Sequence, residues 1–239
     1  MSLAIGIITA SGSRVRFIPR FVRQVQAQTH KNLRFVYIQD GPNKESREVF
    51  AARTKGDRRC THLETPVWSN NWGVTPRVCG LEFLASQPDV LDYVVIWDDD
   101  NAFYPKALET IAAAAEKHGL PDVMLMPVRS RLTVMPSPAS DVANMPCGEI
   151  DTAAFVIRPD AALAGYRTVE ANHPGRAEDV MMFETLRGRG LRIVNVGGAP
   201  IGRYDGMRRL ATFRWRMRIP ELGIDQSRWW KPIRALLRR

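Results

Sequence analysis

The chain has 239 residues, 45% of them hydrophobic, enough apolar material for one sizeable domain with a real core. No apolar run reaches the roughly 20 residues needed to cross a bilayer, and Met1-Ser2-Leu3-Ala4 lacks the basic-then-apolar layout of a secretory signal. Three cysteines (Cys60, Cys79, Cys147) share no close metal-ligand spacing, so reduced thiols in a cytoplasmic protein are expected.

The net charge of +9 is unevenly spread. From Gly206 to Arg239, nine Arg and one Lys face only Glu221 and Asp225, so this tail carries +8 and the first 205 residues are near neutral. The expected division is a domain over residues 1–205 and a basic tail over 206–239.

Leu3–Thr9 reads as the first strand and ends in a small polar loop, Ala10-Ser11-Gly12-Ser13. Helical spacing of Phe17, Ile18, Phe21, Val22 and Val25 predicts a helix over 16–28. Leu33–Gln39 is a second strand closed by Asp40-Gly41-Pro42-Asn43, a strong turn signal. A helix over 45–55, a short strand over 61–65, a loop over 68–76 and a helix over 77–86 follow. Val94-Val95-Ile96-Trp97 then runs straight into Asp98-Asp99-Asp100-Asn101, which reads as a buried parallel strand with three carboxylates at its C-terminal edge. Pro105–His118 is the clearest helix, ended by Gly119. Val123–Pro127 is a strand, 129–148 a partly irregular connection, Ile150–Ile157 a strand followed by a short helix, 177–187 a helix and Leu191–Val196 the last strand. Alternating strands and helices predict a single Rossmann-like α/β domain, its mostly parallel sheet covered by helices on both faces.

Three adjacent carboxylates repel one another, and a hard divalent cation, Mg²⁺ or Mn²⁺, with phosphate oxygens on its far side would relieve that repulsion. Asp40, on the same sheet edge, is placed to accept from a ring N–H of a nucleobase while the Thr9 loop covers the ribose or base. It equally suits its own Gly-Pro turn. Arg77 makes sense at a helix start if it faces a diphosphate. Glu178-Asp179 opens a helix, a favourable place for acids on dipole grounds alone, and supplies a candidate general base. No Gly-x-Gly-x-x-Gly and no Gly-x-x-x-x-Gly-Lys-Ser/Thr is present, which argues against a dinucleotide dehydrogenase and a P-loop NTPase.

The order of these pieces resembles the family 2 glycosyltransferases with the glycosyltransferase A (GT-A) fold, inverting enzymes that use nucleotide-sugars. The pieces are a strand ending near Thr9, Gln28-Thr29-His30-Lys31-Asn32-Leu33, Asp40-Gly41, Asn71-x-Gly73 with Arg77, the triplet with Pro105, and Glu178-Asp179. The resemblance implies that Thr9 and Asp40 contact the nucleoside, Arg77 the base or diphosphate, and Asp99 the ribose or diphosphate. It implies Asp100 as metal ligand with Asp98 as an alternative participant, and Asp179 as general base supported by Glu178. In the Asp-x-Asp pattern the register over the triplet stays open by one. Gly148-Glu149-Ile150-Asp151-Thr152 loosely matches the strand near the acceptor and donor sugar. Many relatives place a His after the last strand; here the region reads Gly202-Arg203-Tyr204-Asp205-Gly206, with Asp205 as candidate substitute. Val78-Cys79 stands where relatives often have Asn.

The implied partners are a nucleotide-diphosphate sugar donor and a hydroxyl acceptor. Interleaved Arg, Trp and Leu in the tail suggest an anionic membrane surface, hence a peripheral protein with a lipid-linked or polysaccharide acceptor; the same apolar residues would also suit packing on the domain itself. The domain lacks a basic face, which argues against nucleic acid. The competing classes are a nucleotidyltransferase, whose Gly- and basic-rich loop Ser11-Gly12-Ser13-Arg14 matches poorly, and a non-catalytic nucleotide-sugar-binding module.

Overall fold

The computed structural model describes residues 2–130, 133–145, 150–172 and 178–203. Gly148, Glu149, Tyr204, Asp205 and the basic tail lie outside the described residues, and so do the expectations placed on them.

In chain order the elements are β1 (Ile5–Ser11), α1 (Ile18–Gln26), β2 (Leu33–Gln39), α2 (Lys44–Thr54), β3 (Cys60–Glu64), α3 (Val74–Ala85), β4 (Tyr93–Ile96) and β5 (Ala102–Phe103). After these come α4 (Ala107–Lys117), β6 (Val123–Leu125), β7 (Val128–Arg129), β8 (Val134–Met135), β9 (Phe155–Ile157), α5 (Pro159–Asn172), α6 (Glu178–Gly188), β10 (Ile193–Asn195) and β11 (Gly202–Arg203). Seven strands form the main sheet in the order β10-β6-β9-β4-β1-β2-β3. All pairings are parallel except those of β9, which runs antiparallel between β4 and β6. Four short strands, β5-β11-β7-β8, make a second sheet.

The central strands are buried on both faces, as an unbroken apolar run requires. In and just past β4 the pleat sends Tyr93, Val95 and Trp97 into one cluster with Phe21 of α1, Phe35 of β2, and Leu108 and Ile111 of α4. Val94 and Ile96 enter the other, with Val78, Leu81, Tyr166 and Met182 from α3, α5 and α6. Gly80 lets α3 lie close on the sheet, since a Cβ there would stand 2.6 Å from Ile38 Cδ1. β1 pairs in parallel with both β2 and β4 (Ser11 beside Gln39, Ile8 beside Ile96), so Ser11, Asp40 and the acidic triplet share one C-terminal edge.

Three expectations need correction. Helix α3 starts at Val74 and not at Arg77, because Gly73 takes the left-handed conformation (φ 85°) as its N-cap, and Pro76 is tolerated within the first turn. The strand expected from Ile150 begins only at Phe155: the Asp151 side chain accepts from Ala153 N at 2.9 Å and turns 152–154 into a 3₁₀ helix. The helix after it is not short but 14 residues long. Within the partly irregular connection expected over 129–148, Arg129 pairs with Val134, and Val128 just before it pairs with Met135.

Candidate active site

The triplet leaves β4 on a rigid base. Trp97 is fully buried and stacks on Phe103 with ring centroids 3.9 Å apart. Beyond it, α1 holds the chain through Arg20 Nη2, which donates to the Asn101 carbonyl at 2.7 Å. The three carboxylates then diverge. Asp99 points inward, 0% exposed, and accepts from Ser11 Oγ (2.8 Å) and Tyr37 OH (3.2 Å), both on Oδ2. Asp98 and Asp100 are each about a quarter exposed, and each meets a different arginine.

On one side, Arg14 Nη1 donates to Asp100 Oδ2 at 2.8 Å. Its Nη2 lies 3.0 Å from Asp99 Oδ1, an ion-pair distance without hydrogen-bond geometry. On the other side, Arg77 Nη2 donates to Asp98 Oδ1 at 2.9 Å and Nη1 to Glu178 Oε1. Arg77 is only 3% exposed and its guanidinium stands 5.8 Å from the Tyr166 ring centre. This one side chain therefore ties the end of β4 to the start of α6, where Asp179 follows Glu178. Burial raises the Asp179 carboxyl above the ordinary carboxylate range, against backbone hydrogen bonds and Arg77. Burial raises Glu178 as well, with Arg77 opposing.

Two residues named from sequence sit deeper than their expected ligand contacts would suggest. Thr9 is 0% exposed, and its hydroxyl finds no hydrogen-bond partner among the described residues. Asp40 Oδ1 accepts from Ser69 N (2.8 Å) with Ser69 Oγ at 2.9 Å, and its Oδ2 accepts from Asn70 N at 3.0 Å. The carboxylate thus fastens a loop in which Asn70 (φ 49°) and Trp72 (φ 60°) are left-handed, a strain that such an anchor can hold. Trp68 and Trp72 on this loop are exposed beside Asp40 and Arg77.

Asp151 is an acidic group that the sequence reading did not single out. Burial first, and the charge of Asp98 next, push its carboxyl up to about 7. Burial likewise takes Asp99 up to about 6, against Arg14 and Ser11. Both start from 3.8, so between pH ~4 and ~7 the folded state holds protons that the unfolded chain has released, and stability falls as pH rises. Asp151→Asn is expected to flatten that fall, recovering on the order of 1 kcal/mol or about 2–4 °C in Tm near pH 7. Thermal melts of both proteins from pH 4 to 8 check this; parallel curves would sink the assignment.

Among the described residues no three His, Cys, Asp or Glu side chains gather as a metal cage. The donor chemistry nevertheless fits a hard divalent ion held by one or two carboxylates, Asp100 and Asp98, with remaining ligands from phosphate oxygens and water.

A mostly parallel α/β sheet with divergent carboxylates at a central strand end is the architecture of an enzyme domain of GT-A type. The chain belongs to glycosyl transferase family 2, whose sequence profile matches residues 7–135. Solved structures agree on the fold. Staphylococcus aureus TarS superposes with a TM-score of 0.64 at 13% identity, over 84% of this chain and 36% of that one. A 1–349 fragment of TarS gives 0.63 at 12% identity, over 84% and 60%. The mannosyltransferase PcManGT from Pyrobaculum calidifontis, solved with GDP-Man and Mn²⁺, gives 0.62 at 13% identity, over 91% and 61%. This chain thus spans less than two thirds of each of these proteins. A sequence search of curated proteins finds no match.

Proposed function

We propose that the chain is the catalytic domain of a metal-dependent, inverting glycosyltransferase that moves a sugar from a nucleotide-diphosphate sugar to an acceptor hydroxyl. The observation that carries this reading is the split of the triplet: Asp99 and Asp100 face Arg14 and the end of β1, while Asp98 is joined through Arg77 to Glu178, the residue before Asp179. A donor side and an acceptor side thus meet at one strand end. The Mn²⁺ and GDP-Man of the mannosyltransferase neighbour support a donor of this class.

Asp179 accepts the proton of the acceptor hydroxyl as its oxygen bonds to the anomeric carbon and the bond from that carbon to the diphosphate oxygen breaks. A single displacement inverts configuration and needs no covalent intermediate. Asp100, with Asp98 as second candidate, would hold the divalent ion, which would supply charge neutralisation for the leaving diphosphate. Arg77 acts through others: it holds Asp98 and Glu178 in place and exposes almost no surface of its own.

Incubating the protein with a panel of nucleotide-sugars and Mn²⁺ or Mg²⁺ is expected to release nucleoside diphosphate, and NMR of the product to show an inverted anomeric centre. Release of pyrophosphate or nucleoside monophosphate would redirect the reading to nucleotidyl transfer. Binding without turnover across an acceptor panel would leave a nucleotide-sugar-binding module.

A further inference from the structure

The two arginines that share the triplet are not equivalent. Arg77 is buried within α3, whereas Arg14 stands on the segment between β1 and α1 with its side chain 36% exposed. Its fork spans two carboxylates, with the hydrogen-bonded arm on the part-exposed Asp100 and the poorly aligned arm on the buried Asp99. Asp99 retains Ser11 and Tyr37 as donors if Arg14 leaves. Two residues before Arg14, a Cβ built on Gly12 would meet nothing within 4 Å. Arg14 thus places a cation on Asp100 Oδ2, an oxygen that a metal ion would need, and can leave without opening the core.

We propose that Arg14 is an internal counter-ion that competes with the divalent cation for Asp100 and, once displaced, turns its guanidinium onto the donor's diphosphate. The proposal rests on the metal-dependent reading above. Two cations crowded on one carboxylate repel, so free metal meets resistance at this site. A diphosphate changes the balance, because it brings negative charge for both cations and offers the planar guanidinium fork a matching partner. Metal and nucleoside diphosphate therefore bind with positive coupling, and Arg14 carries that coupling. The same contact offsets part of the negative charge of Asp99 and Asp100 while no donor is bound.

Mn²⁺ binding to the full chain, read by the EPR signal of free Mn²⁺ without nucleotide, tests the first half. Arg14→Gln is expected to bind Mn²⁺ about tenfold tighter than wild type, within the usual range of such couplings, with Arg14→Lys in between. With Mn²⁺ saturating, calorimetry is expected to show Arg14→Gln binding GDP or UDP, whichever wild type prefers, about tenfold more weakly. If Arg14→Gln melts at room temperature, the Arg14→Gln, Asp99→Asn double variant removes the buried charge along with its partner and answers the same question. Equal or weaker Mn²⁺ binding by the folded variant, with Asp100→Ala still abolishing it, overturns the competition and leaves the metal reading standing. No Mn²⁺ binding by wild type, with or without nucleoside diphosphate, overturns both.

Discussion

Asp179→Asn is expected to lower kcat for transfer by a factor of about 10²–10⁴, the usual worth of a positioned general base. The substitution keeps size and shape, and the acceptor of the Val180 N–H at 2.8 Å is retained, so the start of α6 should stay intact. An amide cannot take the proton of the attacking hydroxyl. Because the loss falls on the chemical step, donor KM should stay near the wild-type value. Burial raises the Asp179 carboxyl, so the acid limb of the wild-type kcat profile should lie above the ordinary aspartate pKa of about 3.9. Glu178→Gln should behave differently: it loses the charge that Arg77 grips, and stability should fall together with activity. Asp151 is the control. Burial pushes its carboxyl up to about 7, and it lies in the field of Asp98, Asp179 and Arg77. Near-normal turnover by Asp179→Asn with a dead Asp151→Asn would move the base to Asp151.

These residues also mark how far sequence reasoning reached. Leu33–Gln39 was legible to the residue, because Asp40-Gly41-Pro42 allows no continuation of the strand. The acidic triplet was legible because a central parallel strand must be apolar on both faces, and topology puts its C-terminal end at the ligand edge. Arg14 was passed over because nothing local distinguishes it; its meaning comes from carboxylates more than 80 residues away. The same holds for Ser11 and Tyr37 on Asp99. Asp151 sat inside an apolar segment that reads as strand, and its capping of residues 152–154 overrides that pattern. β9 runs antiparallel, and strand direction leaves no local signature in three residues. The strands of the second sheet are two residues each, too short for any periodicity. Arg77 was singled out for a contact with ligand, while the fold turns its guanidinium towards Glu178 and Asp98.

That difference makes Arg77 the second decisive position. Arg77→Met is expected to destabilise the protein by about 3–5 kcal/mol, the cost of removing one member of a buried ion-pair network. At about 2–4 °C per kcal/mol for a domain of this size, Tm should drop by roughly 10 °C. Methionine fills much of the volume, so the loss reports charge more than cavity. What remains is Glu178 with a mostly buried carboxylate and Asp98 without its 2.9 Å donor, in a field to which Asp179 already adds negative charge. The penalty should depend on pH. Burial already raises Glu178, so acidification protonates it and removes the unpaired charge, and wild type and variant should differ less at pH 5 than at pH 8. The Arg77→Met, Glu178→Gln double variant should recover part of the loss, because the two sites share one contact and their effects are not additive. Denaturant unfolding of the four proteins of this cycle measures the coupling. A variant as stable as wild type but with a raised donor KM would instead place Arg77 on the diphosphate, and the strut between β4 and α6 would have to be sought elsewhere.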